Sequence, residues 1–480
     1  MSKRAAARGA STGPVTAVAA AVAGGQTRAV DVVRRALELV ARHNPKLNAV
    51  TVLRDGVAMD DAERLDRALA DGAAPGPLAG VPVLVKDLED VTGMRTTYGS
   101  LMFADAPDAG QDGLVPARLR AAGAIIIGKT NLSEFATEGY TANLLYGVTR
   151  NPWNTALSPG GSSGGSAAAL AAGLVPIATA TDGGGSIRIP AALCGLVGLK
   201  PSHGLIGRRP IPDWIDLSTS GPLATCVEDL RLLLKVQAGP VAGDPDAMPY
   251  ALAPATNGPC HLMAAHRTAD LGPLPPAIAS QFESGVGALS DVLRLPVRWL
   301  EPDEVFPTGS VESDWQTLAT PELVNSLGRG WITANLSRMH PAAAAFLQHG
   351  LGVSIDEYLA ARRRRFGYVG RMDVLLGEAG LLVTPTVAAE GWLADGRLTD
   401  DAEVGMLPPE VISTKVQNMT GHPAVSLPAG ISSNGLPFGL QVTGPRFADA
   451  LLLDVAQAWE EAYPWQRVAP GFLPFEALLE

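Results

Sequence analysis

PGGSSGGSAAALAAGLVPIATATDGGGSIRIPAALCGLVGLK, residues 159–200, is the stretch whose reading decides the fold. It holds two glycine-framed serine loops, Gly160-Gly161-Ser162-Ser163-Gly164-Gly165 and Gly183-Gly184-Gly185-Ser186. Between them, the alanine-rich residues 166–172 have strong helix propensity, and Gly173 is placed to close that helix as a C-cap. Residues 174–181 follow as a strand rich in Val, Ile and Thr. A helix leading away and a strand leading back return both loops to one end of the structure, so Ser162 and Ser186 are expected to meet. Glycines at this density let backbone N–H groups face a ligand or an oxyanion with no Cβ in the way. A flexible connector explains one Gly/Ser loop. It does not explain two polar loops joined by so apolar a segment.

Upstream, residues 80–86 read as an apolar strand that ends in Lys86. Lysine is rarely buried without a reason. Two readings stay open here: the ammonium snorkels out or pairs with Asp87, or the amine is desolvated, its pKa falls and it serves as a general base. Two other literal motif matches fail. Residues 123–130 fit the phosphate-loop pattern GxxxxGK[ST], but residues 124–127 are themselves the strand that such a loop should follow. Residues 160–164 fit GxSxG, whose serine needs a strand running directly into it; here the loop residues Asn151-Pro152-Trp153-Asn154 and Ser158-Pro159 precede it. His422 is the downstream histidine that such a triad would use.

Helical spacing covers residues 27–43, ending before Asn44-Pro45, and then 59–70, 115–122, 227–237 and 451–462. Strands are expected at 381–386, 424–429 and 438–442, with Ser433-Asn434-Gly435 as the turn between the last two. Residues 239–371 read as mostly helical. Strands separated by helices through most of the length indicate the α/β class.

Composition narrows the function. The 480 residues are 47% apolar and 18% charged, with a mean hydropathy of +0.16, which suits one large buried body better than modules on linkers. A net charge of −11 argues against a nucleic-acid partner or an anionic membrane surface. The basic run Arg362-Arg363-Arg364-Arg365 follows Asp356-Glu357 and reads as a solvated helix face. Cys194, Cys226 and Cys260 suit neither a disulfide framework nor a metal site, and the seven histidines show no HExxH pairing. No apolar run approaches the roughly 20 residues of a membrane span. Lys3, Arg4 and Arg8 before residues 15–23 imitate a signal peptide, but that stretch is mostly alanine and leads into a helix. The expectation is a cytoplasmic chain with a ragged first dozen residues.

With both serine loops and Lys86 in view, the chain resembles the amidase signature family. GGSSGGSAAALAAG (160–173) and TDGGGSIRIPAALCGLVGLKPS (181–202) match the central signature with its spacing intact. GVPVLVKDLEDVTGMRTTYGS (80–100) resembles the lysine segment, and AAGAIIIGKTNLSEFA (121–136) the segment after it. NMTGHPAVSLPAGISSNGLPFGLQVTGP (418–445) is similar to the C-terminal signature. Good matches cover about residues 75–210 and 380–460. The resemblance implies an α/β fold of one large domain over residues 1–480, with a mixed twisted β-sheet covered by helices on both faces. It also implies Ser186 as nucleophile, Ser162 as a bridging serine on a cis peptide bond, and Lys86 as base. The N–H groups of Gly183, Gly184, Gly185 and Ser186 would form the oxyanion hole, with Gly161, Ser163, Asp182 and Arg188 in support. No metal or organic cofactor is implied.

Three positions depart from the family pattern. Gly183 stands where a side chain such as Thr or Ile is usual, which should widen the site beside the oxyanion hole. Thr225-Cys226 replaces a frequent Arg-Thr and should alter a packing contact. His422 replaces an aliphatic residue and reads as an ordinary surface or packing position, with substrate contact as the other reading. The expected activity is hydrolysis of small or aryl amides, and of carbamates and esters that present the same carbonyl, by a monomer or homodimer with no nucleic-acid or membrane partner. The alternatives are the glutaminase-type subunit of a tRNA-dependent amidotransferase and a non-catalytic binding protein on the same fold. Residues 205–380 are expected to shape the substrate site. Their Trp214, Trp315, Trp331, Phe346 and Phe366 read as core, with an aromatic-accepting pocket as the other reading.

Overall fold

Two main sheets, of four and seven strands, and two short two-stranded ones lie in the described residues, which are 13–249, 258–268, 273–306, 310–398 and 413–478 of this computed structural model. The smaller sheet is built on Pro82–Lys86, buried along its whole length. It pairs in parallel with Ile125–Thr130 on one side and Ile177–Ala178 on the other, and Val50–Leu53 lies antiparallel at the edge. Parallel strands covered on both faces need continuous apolar side chains, and PVLVK and IIIGKT supply them. Lys129 and Thr130 sit inside the second strand. The phosphate-loop pattern therefore belongs to a strand, as the sequence reading required.

The larger sheet runs Leu223–Ala224, Val197–Lys200, Ala424–Ile431, Pro437–Thr443, Gly380–Pro385, His261–Ala264, Val297–Trp299. Its first four pairings are antiparallel and its last two parallel. With helices on both sides, this is the mixed α/β architecture expected, in one large domain. The turn near 433–435 joins its two long antiparallel strands as anticipated.

Residues 159–200 cross from one sheet to the other. After the helix Gly164–Ala171, the segment expected as one strand divides at Thr179. Ile177–Ala178 joins the smaller sheet, whereas Ala180–Asp182 pairs with Thr219–Gly221. Thr179 is the pivot: its N–H donates to Leu84 O at 3.0 Å and its hydroxyl accepts the Lys86 N–H at 2.9 Å. The chain then turns through 183–187, forms the helix Arg188–Cys194 and enters the larger sheet. Both serine loops are thereby held between two rigid bodies.

Three other expectations change. The early helix is Ala29–Leu47 and runs through Pro45, ending on Asn48 at φ 50°. Asn44 fixes the exit: its Oδ1 accepts the N–H groups of Ala49 and Val50, both at 2.8 Å. Residues 15–23 belong to a buried helix, Pro14–Ala23, with Val15, Val18, Ala19 and Val22 facing the core. Its free N–H groups find an acceptor far along the chain, Asp229, at 2.9 Å from Val15 N and 3.2 Å from Thr16 N. The basic start and the first dozen residues lie outside the described residues. The arginine run is in part the solvated face expected, with Arg363 and Arg364 exposed, and in part a clamp. Arg362 and Arg365 both reach Asp216, at 2.6 and 3.0 Å, and Arg364 reaches Asp314 at 2.6 Å. This fixes the segment carrying Trp214 to the helix Ile355–Leu376. Among the described residues no helix is long and apolar enough to cross a membrane.

Asp229→Ala removes the acceptor for the first helix and leaves buried N–H groups unpaired. Urea unfolding should show a loss of about 1–3 kcal/mol in stability with turnover unchanged. A loss of a few tenths would mean that water replaces the carboxylate without cost.

Candidate active site

Lys86 ends its strand in complete burial. Its Nζ lies 2.7 Å from Ser162 Oγ, 2.9 Å from Ser163 Oγ and 2.9 Å from Thr181 Oγ1. Of the two readings left open, pairing with Asp87 is excluded by geometry, because Asp87 turns the other way to Lys129 Nζ at 3.1 Å and to Thr97. Burial depresses the Lys86 ammonium to about 7, against the opposing fields of Glu89 and Asp182. A neutral amine has two N–H donors and one lone pair, and an ammonium has three donors. Three hydroxyls can satisfy either state, so a proton can reach Nζ without the shell rearranging.

Ser162 follows a cis peptide bond from Gly161. A Cβ on Gly161 would lie 2.3 Å from Tyr140 O, so only glycine passes there. Thr181 was not singled out from sequence, nor was Thr179, although ATATD (178–182) spaces them two apart and two-residue spacing in extended chain puts side chains on one face. Both meet Lys86, one at its amine and one at its backbone N–H. Thr179 also donates to Glu89, whose carboxyl burial pushes up to about 7.

Behind the second loop lies a fully buried ion pair, Asp182 with Arg188. All five guanidinium N–H groups are used. Nε and one Nη2 proton go to Asp182, at 2.9 and 2.8 Å. The second Nη2 proton goes to Asn418 Oδ1 at 2.7 Å, and the two on Nη1 go to Gln417 and Gln441 at 2.8 and 2.7 Å. Burial pushes the Asp182 carboxyl up, and Arg188 with its hydrogen bonds more than reverses this, holding it below the usual carboxylate range. Gln417, Asn418 and Gln441 were legible only as parts of the C-terminal signature; nothing in their spacing announces a guanidinium partner.

The four expected oxyanion donors do not stand alike. The Gly185 N–H already donates to Asp182 Oδ1 at 2.8 Å, and Gly185 lines neither cavity beside Ser186. Gly183, Gly184 and Ser186 do line them. Trp315 Nε1 donates to Gly183 O at 2.8 Å, and because the peptide is planar and trans, this also aims the Gly184 N–H the opposite way.

Gly183 does not widen the site. A Cβ there would lie 2.3 Å from Trp214 Cε3 and 2.7 Å from Cζ3, so the Trp214 ring occupies the space that a side chain would have filled. Trp214, Trp315 and Phe346 pack on one another, with ring centroids 5.6–6.2 Å apart, and all three also border a cavity at Ser186. Core and pocket wall are thus the same residues. Trp331 is part-buried against this cluster and Phe366 is exposed, away from the site.

Two cavities meet at Ser186. The larger, about 160 Å³, is bordered by Ser162, Thr181, Glu89, Tyr98, Arg208 and the segment 209–214. The smaller, about 50 Å³, lies between Gly184, Glu138, Lys415 and the aromatic trio. His422 borders neither. It is buried, with Nε2 3.2 Å from Asp373 Oδ1 but without hydrogen-bond alignment, which fits packing and removes the histidine that a GxSxG triad would need. Cys226 is buried at the start of the helix Val227–Gln237, and the Thr225 carbonyl accepts Trp465 Nε1 at 3.1 Å. Among the described residues no His, Cys, Asp and Glu cluster could hold a metal ion.

A profile of the family described as Amidase matches residues 31–291 and 312–453. The putative amidase AmiA2 of Mycobacterium tuberculosis is 36% identical over 465 residues, covering 92% of each chain. A glutamyl-tRNA(Gln) amidotransferase subunit from Symbiobacterium thermophilum is 33% identical over 486, covering 93% of this chain and 96% of its own. Among solved structures, a bacterial aryl acylamidase of the amidase signature family superposes with a TM-score of 0.85 at 27% identity, covering 94% of this chain and 97% of that one.

Gly183→Val should drive the Trp214 ring from its place. The expected result is a shifted tryptophan emission and a drop of at least tenfold in kcat/KM, part of which the double variant with Trp214→Ala restores. Unchanged emission and rate would mean that the ring and the loop are independent.

Proposed function

This chain belongs to the amidase signature family, whose hydrolases act on amides, and we propose that it cleaves small and aryl amides through an acyl-enzyme on Ser186. The observation that carries the reading is Lys86: a buried amine, depressed to about 7, 2.7 Å from a serine hydroxyl that borders the same cavity as Ser186.

In this reading Lys86 Nζ takes the proton of Ser162 Oγ as Ser162 takes that of Ser186. Ser186 Oγ bonds to the carbonyl carbon, and the carbonyl electron pair moves onto oxygen. The N–H groups of Gly183, Gly184 and Ser186 receive that charge; one such donor typically contributes about 3–4 kcal/mol to lowering the barrier. The C–N bond then breaks, and the leaving nitrogen takes a proton back through Ser162 from Lys86. Water repeats the sequence on the acyl-enzyme, giving its proton to the relay, and Ser186 recovers its own as the acid leaves. Carbamates and esters offer the same carbonyl and follow the same route.

The aromatic walls support aryl substrates. They come from Tyr98, Phe135 and Trp214 around the larger cavity, the last within the region expected to shape the site. The amidotransferase relative makes a glutaminase role the second reading. Glutamine carries an α-ammonium and an α-carboxylate that must also be accommodated, whereas an aryl group needs only the aromatic walls.

The test is hydrolysis by the purified chain alone of a primary amide, an anilide, an ester and an aryl carbamate. Turnover of the anilide that disappears in Ser186→Ala is expected. Silence across the panel with a folded protein would favour the partner-dependent reading. Because the neutral amine is the base, kcat/KM should fall about tenfold per pH unit below about 7 and level off above it; an optimum well below pH 6 would overturn the role of Lys86. Lys86→Ala should lose on the order of a thousandfold in kcat while keeping the wild-type circular dichroism, and a near-normal rate would mean that the base lies elsewhere.

A further inference from the structure

The smaller cavity at Ser186 holds a carboxyl for which the mechanism has no use. Glu138 is 5% exposed and borders the cavity together with Ser186 and the aromatic trio. Its Oε1 is fully buried and has no hydrogen-bond partner. Its backbone is fixed on both sides by one hydroxyl, with the Glu138 N–H 3.2 Å from Ser133 Oγ and the Glu138 carbonyl 3.3 Å from it. The cation nearby is engaged. Lys415 Nζ lies 2.9 Å from Glu312 Oε2 and 4.7 Å from the centre of the Trp315 ring. A buried polar atom without a partner is destabilising, so a folded protein keeps one where something else satisfies it.

We propose that this cavity is a specificity subsite for the acyl arm of the substrate, and that it selects a short, uncharged arm ending in a hydroxyl or a primary carboxamide, with Glu138 as the polar partner. The inference rests on the amide-hydrolase reading above. Size assigns the two arms. A cavity of about 160 Å³ accepts an aryl leaving group, whereas one of about 50 Å³ holds a few heavy atoms and no ring. Charge assigns the terminus. A cationic arm would sit beside Lys415, and an anionic one would find that cation already paired with Glu312. Burial pushes the Glu138 carboxyl up to about 8, so near neutral pH it carries both an O–H donor and a C=O acceptor, the complement of a hydroxyl or a carboxamide. The three rings exclude water from around that contact, which strengthens it.

The experiment compares N-phenylglycolamide with propionanilide, which differ by a hydroxyl in place of a methyl at the end of the acyl arm. Wild-type kcat/KM should favour the hydroxyl compound at least tenfold, because a site built to bond a hydroxyl rejects the analogue without it. Glu138→Leu should bring the pair within about twofold or invert it, and Glu138→Gln, which keeps a donor and an acceptor, should retain part of the preference. Dissociation constants of the two anilides for Ser186→Ala, read from tryptophan fluorescence, should show the same order. Equal wild-type values for the pair would overturn the subsite whether or not the Leu variant folds, and so would a preference that survives Glu138→Leu. Failure of the wild type to hydrolyse either anilide would sink the amide-hydrolase reading alone, since the binding comparison still tests the subsite.

Discussion

Arg188 and Asp182 are the contact on which the rest of the site depends. A guanidinium and a carboxylate without solvent are each costly, and the cost is offset only when every donor and acceptor is met. Here the five guanidinium protons go to Asp182, Asn418, Gln417 and Gln441. The carboxylate in turn holds the N–H groups of Gly185 and Ile187. One buried pair thus ties the glycine loop to the C-terminal signature, more than 200 residues away in the chain. Loss of either partner would leave the other charged, buried and alone.

Lys86 is organised on the opposite principle. No carboxylate bonds its amine; three hydroxyls do. A carboxylate there would hold the ammonium in its charged form, whereas hydroxyls serve the charged and neutral states alike. Asp87, the next residue in the chain, is turned to Lys129 instead. The strand ends at Lys86, and the turn that follows carries the structural ion pair away from the amine.

The walls illustrate a trade between packing and access. Trp214 occupies the space left by the absent side chain of Gly183, and its segment is fixed from behind by Asp216 on Arg362 and Arg365. Trp315 packs on the same ring while its N–H fixes the peptide that follows Gly183. Residues that shape the substrate space therefore also orient the backbone donors, and a change in one is felt by the other.

The class, the serine loops and the strand that ends in Lys86 were legible in the chain because each is local: glycine spacing, helix propensity and apolar runs act over a few residues. The same holds for the helix 227–237 and for the late strand pair. Whatever depended on partners distant in sequence was decided by tertiary structure. The strand expected at 174–181 splits because its two halves find different partners, and the Ala29–Leu47 helix runs past Pro45 to an exit that Asn44 fixes. Within the arginine run that read as a solvated face, Arg362 and Arg365 gain Asp216 and Arg364 gains Asp314, partners that no local pattern announces. Gly183 looked like added room, and only a ring from 31 positions downstream shows that the room is taken. Sequence determined which groups could do chemistry. The packing of remote segments decided which of them are buried, which are spent on one another and which are left facing a substrate.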